Sequence, residues 1–364
     1  MQIISASQNS FVASAEYADV ILILPGVNVI YNVPGAALDI DHGEVRVTNY
    51  GSLFGAWYGA DLGGSNGSLT NASGARIFGA NAGIVIYASG AFVHNLGEVI
   101  GGAVGVFAGF GQDYAHIVNG PDALIAGEEG VRTLGNYASV TNSGAIEGGV
   151  WLSGEGSSLL NTGTVSGDVV LAVGEAIVRN SGSITGDVML GDGNDRFLGA
   201  LGTVLGTVDG GAGNDLIVIG SGETAHGGSG VDTIRGRGAE DVLVGGLGAD
   251  LLSGGLGQDT FVYERVNDTK VAAADRIWAF DQLAQDRIDL SAIDANTRLA
   301  GNQEFRFIGG GAFNGVAGQL HVVASGANLF VEGDVNGDAV ADFRIILSSL
   351  GAQAASFTAD EFVL

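Results

Sequence analysis

Cysteine is absent from the 364 residues, which excludes disulfide staples and thiolate metal sites alike. Lysine occurs once, at Lys270, and the 14 bases face 40 acids for a formal charge of −26. A chain so poor in positive charge repels a phosphate backbone, so nucleic acid is excluded as a partner. Proline occurs three times and the glycines keep no three-residue period, which excludes collagen. There is no run of 18 apolar residues, so no transmembrane segment is expected. The opening MQIISASQNS lacks a basic n-region, and Val20–Leu24 is too short for a signal-peptide core, so any export address is expected elsewhere. What is abundant is glycine, 64 residues, together with a 46% hydrophobic share. That share is too high for an acidic disordered chain.

The first half is built on a repeat. Asparagine recurs at 49, 71, 95, 119, 142, 161 and 180, at intervals of 19 to 24 residues. Five of the seven open N-x-G-x-[ILV]-x-G, as in NLGEVIG from Asn95 and NSGAIEG from Asn142. Short alternating runs such as GIVIY (83–87) lie around them, with strand period and too little length for a helix. A repeat of this length holding two or three strands predicts one coil of a right-handed parallel β-helix, its Val, Ile and Leu stacking inside. The Asn are expected at a turn, bonded along the stack as a ladder.

A second repeat follows: LGDGNDRFL (190–198), GGAGNDLIV (210–218), GGSGVDTIR (227–235), GRGAEDVLV (236–244), GGLGADLLS (245–253) and GGLGQDTFV (254–262). It resembles the nonapeptide GGxGxDxUx of repeats-in-toxin (RTX) proteins, which implies a parallel β-roll that holds calcium. The last four copies run unbroken at a nine-residue period, with Asp232, Asp241, Asp250 and Asp259 at the sixth position. Calcium takes 6–8 oxygens. Carboxylates would supply some, and glycine permits the backbone to turn carbonyls inward. The candidate metal-binding positions are therefore Asp192, Asp195 and Asp215 with Asp232, Asp241, Asp250 and Asp259. The accompanying glycines are Gly210, Gly211, Gly213, Gly227, Gly228 and Gly230, then Gly236, Gly238, Gly245, Gly246, Gly248, Gly254, Gly255 and Gly257.

The two repeats share a register. GSITGDV (182–188) aligns with GTVLGTV (202–208) at an offset of 20, which also carries Asp195 onto Asp215, so one continuous solenoid is expected. One edge should carry Asp195, Asp215, Asp232 and Asp250 and the other Asp241 and Asp259, giving about four calcium ions between adjacent pairs. Glu223 falls where a further half-site would lie.

After Tyr263 the landmarks DRIWAFD (275–281), DRIDLSAID (286–294) and GDVNGDAVADF (333–343) resemble the C-terminal domain of serralysin-type proteins. That resemblance implies a cap on the roll and a C-terminal signal read by a type I secretion apparatus. Asp334, Asn336, Asp338 and Asp342 follow D-x-N-x-D-x-x-x-D, a further candidate for calcium, but Ala339 and Ile345 replace the Gly and Glu of an EF-hand loop, so a hairpin is the favoured reading. Asp281, Asp286 and Asp289 either finish the last roll turn or cap a short helix.

The chemistry of a serralysin protease is missing. The five histidines, 42, 94, 116, 226 and 321, form no H-E-x-x-H. A β-helix with RTX repeats also suits a polysaccharide lyase or epimerase, but the helix half has no Lys and only Arg46, Arg76, Arg132 and Arg179. His42 and His94 read as surface or turn residues, and the aromatic cluster Tyr50, Phe54, Trp57 and Tyr58 as coil core. No catalytic residue is assigned.

The expectation is thus an all-β chain: a right-handed parallel β-helix (1–189) continuing into a calcium-binding parallel β-roll (190–262), with a small β-rich C-terminal cap (263–364). It is expected to be secreted, to fold on calcium outside the cell, and to serve in adhesion, matrix or surface association, with extracellular polysaccharide or a cell surface as partner. The alternative is a calcium-dependent lyase or epimerase acting on an anionic polysaccharide.

Overall fold

A computed structural model describes residues 1–13, 20–41, 43–109, 111–348 and 357–364. It divides into two compact units, Met1–Gly191 with Leu201–Gly206, and Asp192–Ala200 with Thr207–Leu364. The second unit thus holds both the nonapeptide region and the segment after Tyr263. The chain is all-β, with only two single-turn 3₁₀ helices, Val266–Asp268 and Ala359–Glu361, among the described residues. No described helix is long and apolar enough to cross a membrane.

The first unit is a parallel β-solenoid in which each coil lays down three short strands, one for each of three sheets. One coil is Phe92–Asn95, Glu98–Gly101 and Val104–Ala108. Every strand pairs in parallel with its counterparts one coil away, so like positions stack. In the first sheet Leu69, Val93, Ile117, Val140, Leu159 and Val178 form one inward column, each almost fully buried. The second sheet has nine strands and stacks Leu53, Ile77, Val99, Ile125 and Ile146. Burying each such side chain contributes roughly 1.5–3 kcal/mol. The glycine of N-x-G follows from the stacking: a Cβ on Gly97 would lie 2.6 Å from the Ala72 carbonyl oxygen.

The aromatic cluster is not core. Tyr50 and Trp57 are exposed, and Phe54 and Tyr58 are only half-buried. Strand parity explains Phe54: Leu53 and Gly55 face inward, so the residue between them points out.

The second unit drops the middle strand of each coil, which is why its repeat shortens to 17 or 18 residues. Two parallel sheets remain. One stacks Phe197, Ile217, Ile234, Leu252 and Ile277, the other Val208, Ala225, Leu243, Phe261 and Ile288. The segment after Tyr263 closes both. Phe343–Leu347 adds to Asp275–Ile277 and is itself the edge of an antiparallel ribbon with Asn328–Asp334 and Gln319–Ser325. Phe362–Val363 adds to Arg287–Asp289. Exposed sheet ends, which would otherwise template association, are thereby covered.

Candidate metal centre

Two ladders of buried acids run through the second unit. On one edge, the backbone N–H of each rung donates to the Oδ1 of the next: Asp195 to Asp215 (2.7 Å), Asp215 to Asp232 (2.8 Å), Asp232 to Asp250 (2.8 Å) and Asp250 to Asp275 (2.9 Å). On the other, Glu223 donates to Asp241 (3.1 Å), Asp241 to Asp259 (3.0 Å) and Asp259 to Asp286 (3.0 Å). The structure therefore brings together the two sets of aspartates read from the repeat, with Glu223 heading the second. Each carboxylate is placed by the residue two positions on, such as Ile234 after Asp232 or Phe261 after Asp259, which enters the core and pins the turn.

Two rungs lie beyond the repeat. Asp275 and Asp286 extend the ladders although 25 and 27 residues separate them from Asp250 and Asp259. The available signal was the triplet Asp-x-apolar without its glycines: DRI at 275–277 and again at 286–288.

The second oxygen of each rung decides what the ladders can do. Oδ2 of Asp215, Asp232, Asp241, Asp250, Asp259 and Asp275 is buried with no hydrogen-bond partner. A buried acceptor left unsatisfied costs about 1–3 kcal/mol, and more when charged. Burial, reinforced by neighbouring carboxylates, pushes Asp232 and Asp259 up to about 7 and Asp275 to about 8. Burial holds Asp250 and Asp286 at about 6 and raises Asp215 and Asp241 as well.

The glycines open the space around these oxygens. A Cβ on Gly227 would sit 2.5 Å from both the Asp232 Oδ2 and the Gly245 carbonyl oxygen of the next coil; one on Gly210 would meet Asp215 Oδ2 and the Gly227 carbonyl in the same way. Gly236, Gly245 and Gly254 likewise leave no room for a side chain beside Asp241, Asp250 and Asp259. Gly211, Gly213, Gly228, Gly230, Gly246, Gly255 and Gly257 hold positive φ, whereas Gly238 and Gly248 do not. Among the described residues no three His, Asp or Glu side chains gather as a metal-binding group; the oxygens beside Asp215 and Asp232 Oδ2 at Gly210 and Gly227 are backbone carbonyls. Lined by carboxylate and carbonyl oxygens, these positions fit a hard divalent cation of calcium's preference.

Other candidates lie elsewhere. Asp192 is exposed and off the ladder. Asp334 and Asp342 spend their oxygens on the hairpin's own groups: Asp334 accepts from the Gly337 and Ala339 N–H, Asp342 from Val335 N–H and the Asn336 amide, while Asp338 accepts from Val340 N–H. Asp281 accepts from Leu283 N–H and Asp289 from Ser291, both local turns. His321 is buried between Glu332 (2.9 Å) and the Gly311 carbonyl. Hydrogen bonds from His321 and Arg344 lower Glu332 against its burial, and Glu332 raises His321. His94 is half-buried on an outer face, and His42 lies outside the described residues.

A family model described as Peptidase M10 serralysin C terminal matches residues 152–360, more than half of the chain. The chain belongs to that family. The serralysin C-terminal match makes this an RTX-type calcium-binding protein. Two solved structures similar to it are subunits of the Azotobacter vinelandii mannuronan C5-epimerase. The AlgE6R3 subunit is 31% identical over 42% of this chain and 78% of that one, with a TM-score of 0.29. The AlgE6R2 subunit is 30% identical over 43% and 91%, with a TM-score of 0.32. No curated protein matches the chain.

Proposed function

We propose that this serralysin C-terminal family protein is secreted unfolded through a type I apparatus, folds on calcium outside the cell, and works there without catalysis in adhesion, matrix or surface association. The orphaned Oδ2 atoms of the ladders carry the reading. Where free calcium is scarce, stacked carboxylates repel and the roll stays open and threadable. In millimolar calcium the same oxygens are neutralised, and binding free energy becomes folding free energy. The ions lie between successive rungs, held by Asp195, Asp215, Asp232, Asp250 and Asp275 on one edge and Asp241, Asp259 and Asp286 on the other. Counting Asp275 and Asp286, adjacent aspartate pairs number six (four on the first edge, two on the second).

Calcium titration of the chelator-treated chain by calorimetry tests this, with circular dichroism in parallel. Several tight ions and a concomitant gain of β-structure are expected; fewer than two tight ions, or a second unit equally folded in excess chelator, would overturn it. Pull-down on whole cells with and without calcium tests the association. Incubation with alginate and pectin, followed near 235 nm and by proton NMR, should give neither unsaturated product nor epimerised residues.

A further inference from the structure

The third sheet of the first unit carries an outward column that does not repeat itself. Successive strands place Asp39, Asp61, Val85, Phe107 and Arg132 side by side in register. Val85 points away from the core, between inward Ile84 and Ile86, yet is only 1% exposed. It lies at the floor of a groove of about 170 Å³, lined also by Tyr58, Asn81, Ala82, Val104, Tyr87 and Phe107. Burial and the neighbouring Tyr58 phenol raise Tyr87. Tyr87 and Phe107 flank Gly109, whose Cβ would touch both rings at 3.8 and 3.9 Å. Exposed Trp57 stands beside Tyr58, ring centroids 6.4 Å apart.

The geometry points to this groove as a binding site for a neutral saccharide, with Tyr58, Tyr87 and Phe107 as stacking walls, Asn81 as a hydrogen-bonding group and Asp61 next to Val85 in the column. A pyranose has apolar C–H faces and a hydroxyl rim. Aromatic walls over an aliphatic floor match the faces, and an amide and phenol hydroxyls match the rim. Burial and Asp39 hold Asp61 at about 7, so near neutrality it both donates and accepts. Charge decides between neutral and acidic sugars. None of the groove's lining side chains is basic. The base next in the column, Arg132, is held by Glu129 at 2.8 Å. A uronate would find no cation among the lining groups.

This names a ligand class for the surface association proposed above and rests on that part of the reading. The test uses the full chain in saturating calcium, titrated calorimetrically with cellohexaose and mannohexaose as neutral probes and hexaguluronate as the acidic one. At least one neutral hexamer should bind, about tenfold or more tighter than hexaguluronate. Tyr87→Ala and Phe107→Ala should each weaken it about tenfold, as loss of an aromatic anchor does. Tyr87→Phe should cost about threefold or less, as it keeps the stacking ring. Phe92→Ala, an exposed aromatic on the first sheet, should change nothing. Circular dichroism and calcium titration confirm that each variant folds. Failure of both neutral probes, tighter binding of hexaguluronate, or wild-type affinity in Tyr87→Ala and Phe107→Ala would each overturn the groove. Calcium-dependent cell binding that survives Tyr87→Ala would overturn the groove alone and leave the association standing.

Discussion

Both units run a polar ladder along a parallel stack, but the rungs are amides linked side chain to side chain in one and carboxylates linked through the backbone in the other. In the first unit the Nδ2 of each asparagine donates to the Oδ1 of the next, at 2.8–2.9 Å from Asn49 through to Asn180. Each Nδ2 also reaches a backbone carbonyl in the next coil, Asn119 to Ala145 for example (2.9 Å). An amide carries donor and acceptor together, so that ladder closes on itself. In the second unit the rung is a carboxylate, which only accepts. Backbone N–H groups satisfy Oδ1, and Oδ2 is left over at six rungs. The amide stack thus satisfies its own side chains, whereas the carboxylate stack leaves acceptors open.

The largest effect should come from removing calcium. In excess chelator at pH 8, hydrogen exchange should lose protection across 207–289 while 36–190 stays protected; equal loss in both would break the contrast. Next is the swap Asn119→Asp, which sets an unpaired carboxylate into the self-closing ladder. Urea unfolding should show a loss of about 3–5 kcal/mol, as for an uncompensated buried charge, against about 1–3 kcal/mol for Asn119→Ala. The converse, Asp215→Asn with Asp232→Asn and Asp250→Asn, should make the second unit more stable than wild type in chelator and less stable in calcium. A stability change of the same sign in both conditions would show that the carboxylate is not the determinant.

The most modest change is in the pH profile, since protons replace calcium only in part. Carboxyls raised in the folded state to about 6–8 bind more protons there than in the unfolded chain, whose value is near 3.9. Stability in chelator is therefore greatest in acid and falls as pH rises through about 6–8. Lowering the pH from 8 to 5 should raise the second unit's melting temperature without calcium and lower its calcium affinity. The first unit's ladder does not titrate, so over the same range its exchange protection should change less than the second unit's, through Asp61 and Asp39.

Much of this was readable before any coordinates. The asparagine period named every rung of the first ladder, and the nonapeptide period named six aspartates of the second and assigned each to its edge. Asp275 was not readable, and Asp286 was readable only as one of two options, because the inserted loops break the nine-residue count that identifies the others. Their membership depends on strand register, Leu251 against Arg276 and Thr260 against Arg287, which sequence separation does not encode. Phe54 misled for a related reason: hydrophobic character suggested the interior, whereas strand parity turned it out.

By itself, then, the sequence determined the coil, its inward columns and the chemistry of the rungs, since in a repeat each residue's partner is its own counterpart one period away. The tertiary structure alone decided how far the aspartate ladders extend and that Tyr58, Asn81, Tyr87 and Phe107 surround one groove. Those contacts join unlike residues on different coils, and only the stacking of those coils brings them together.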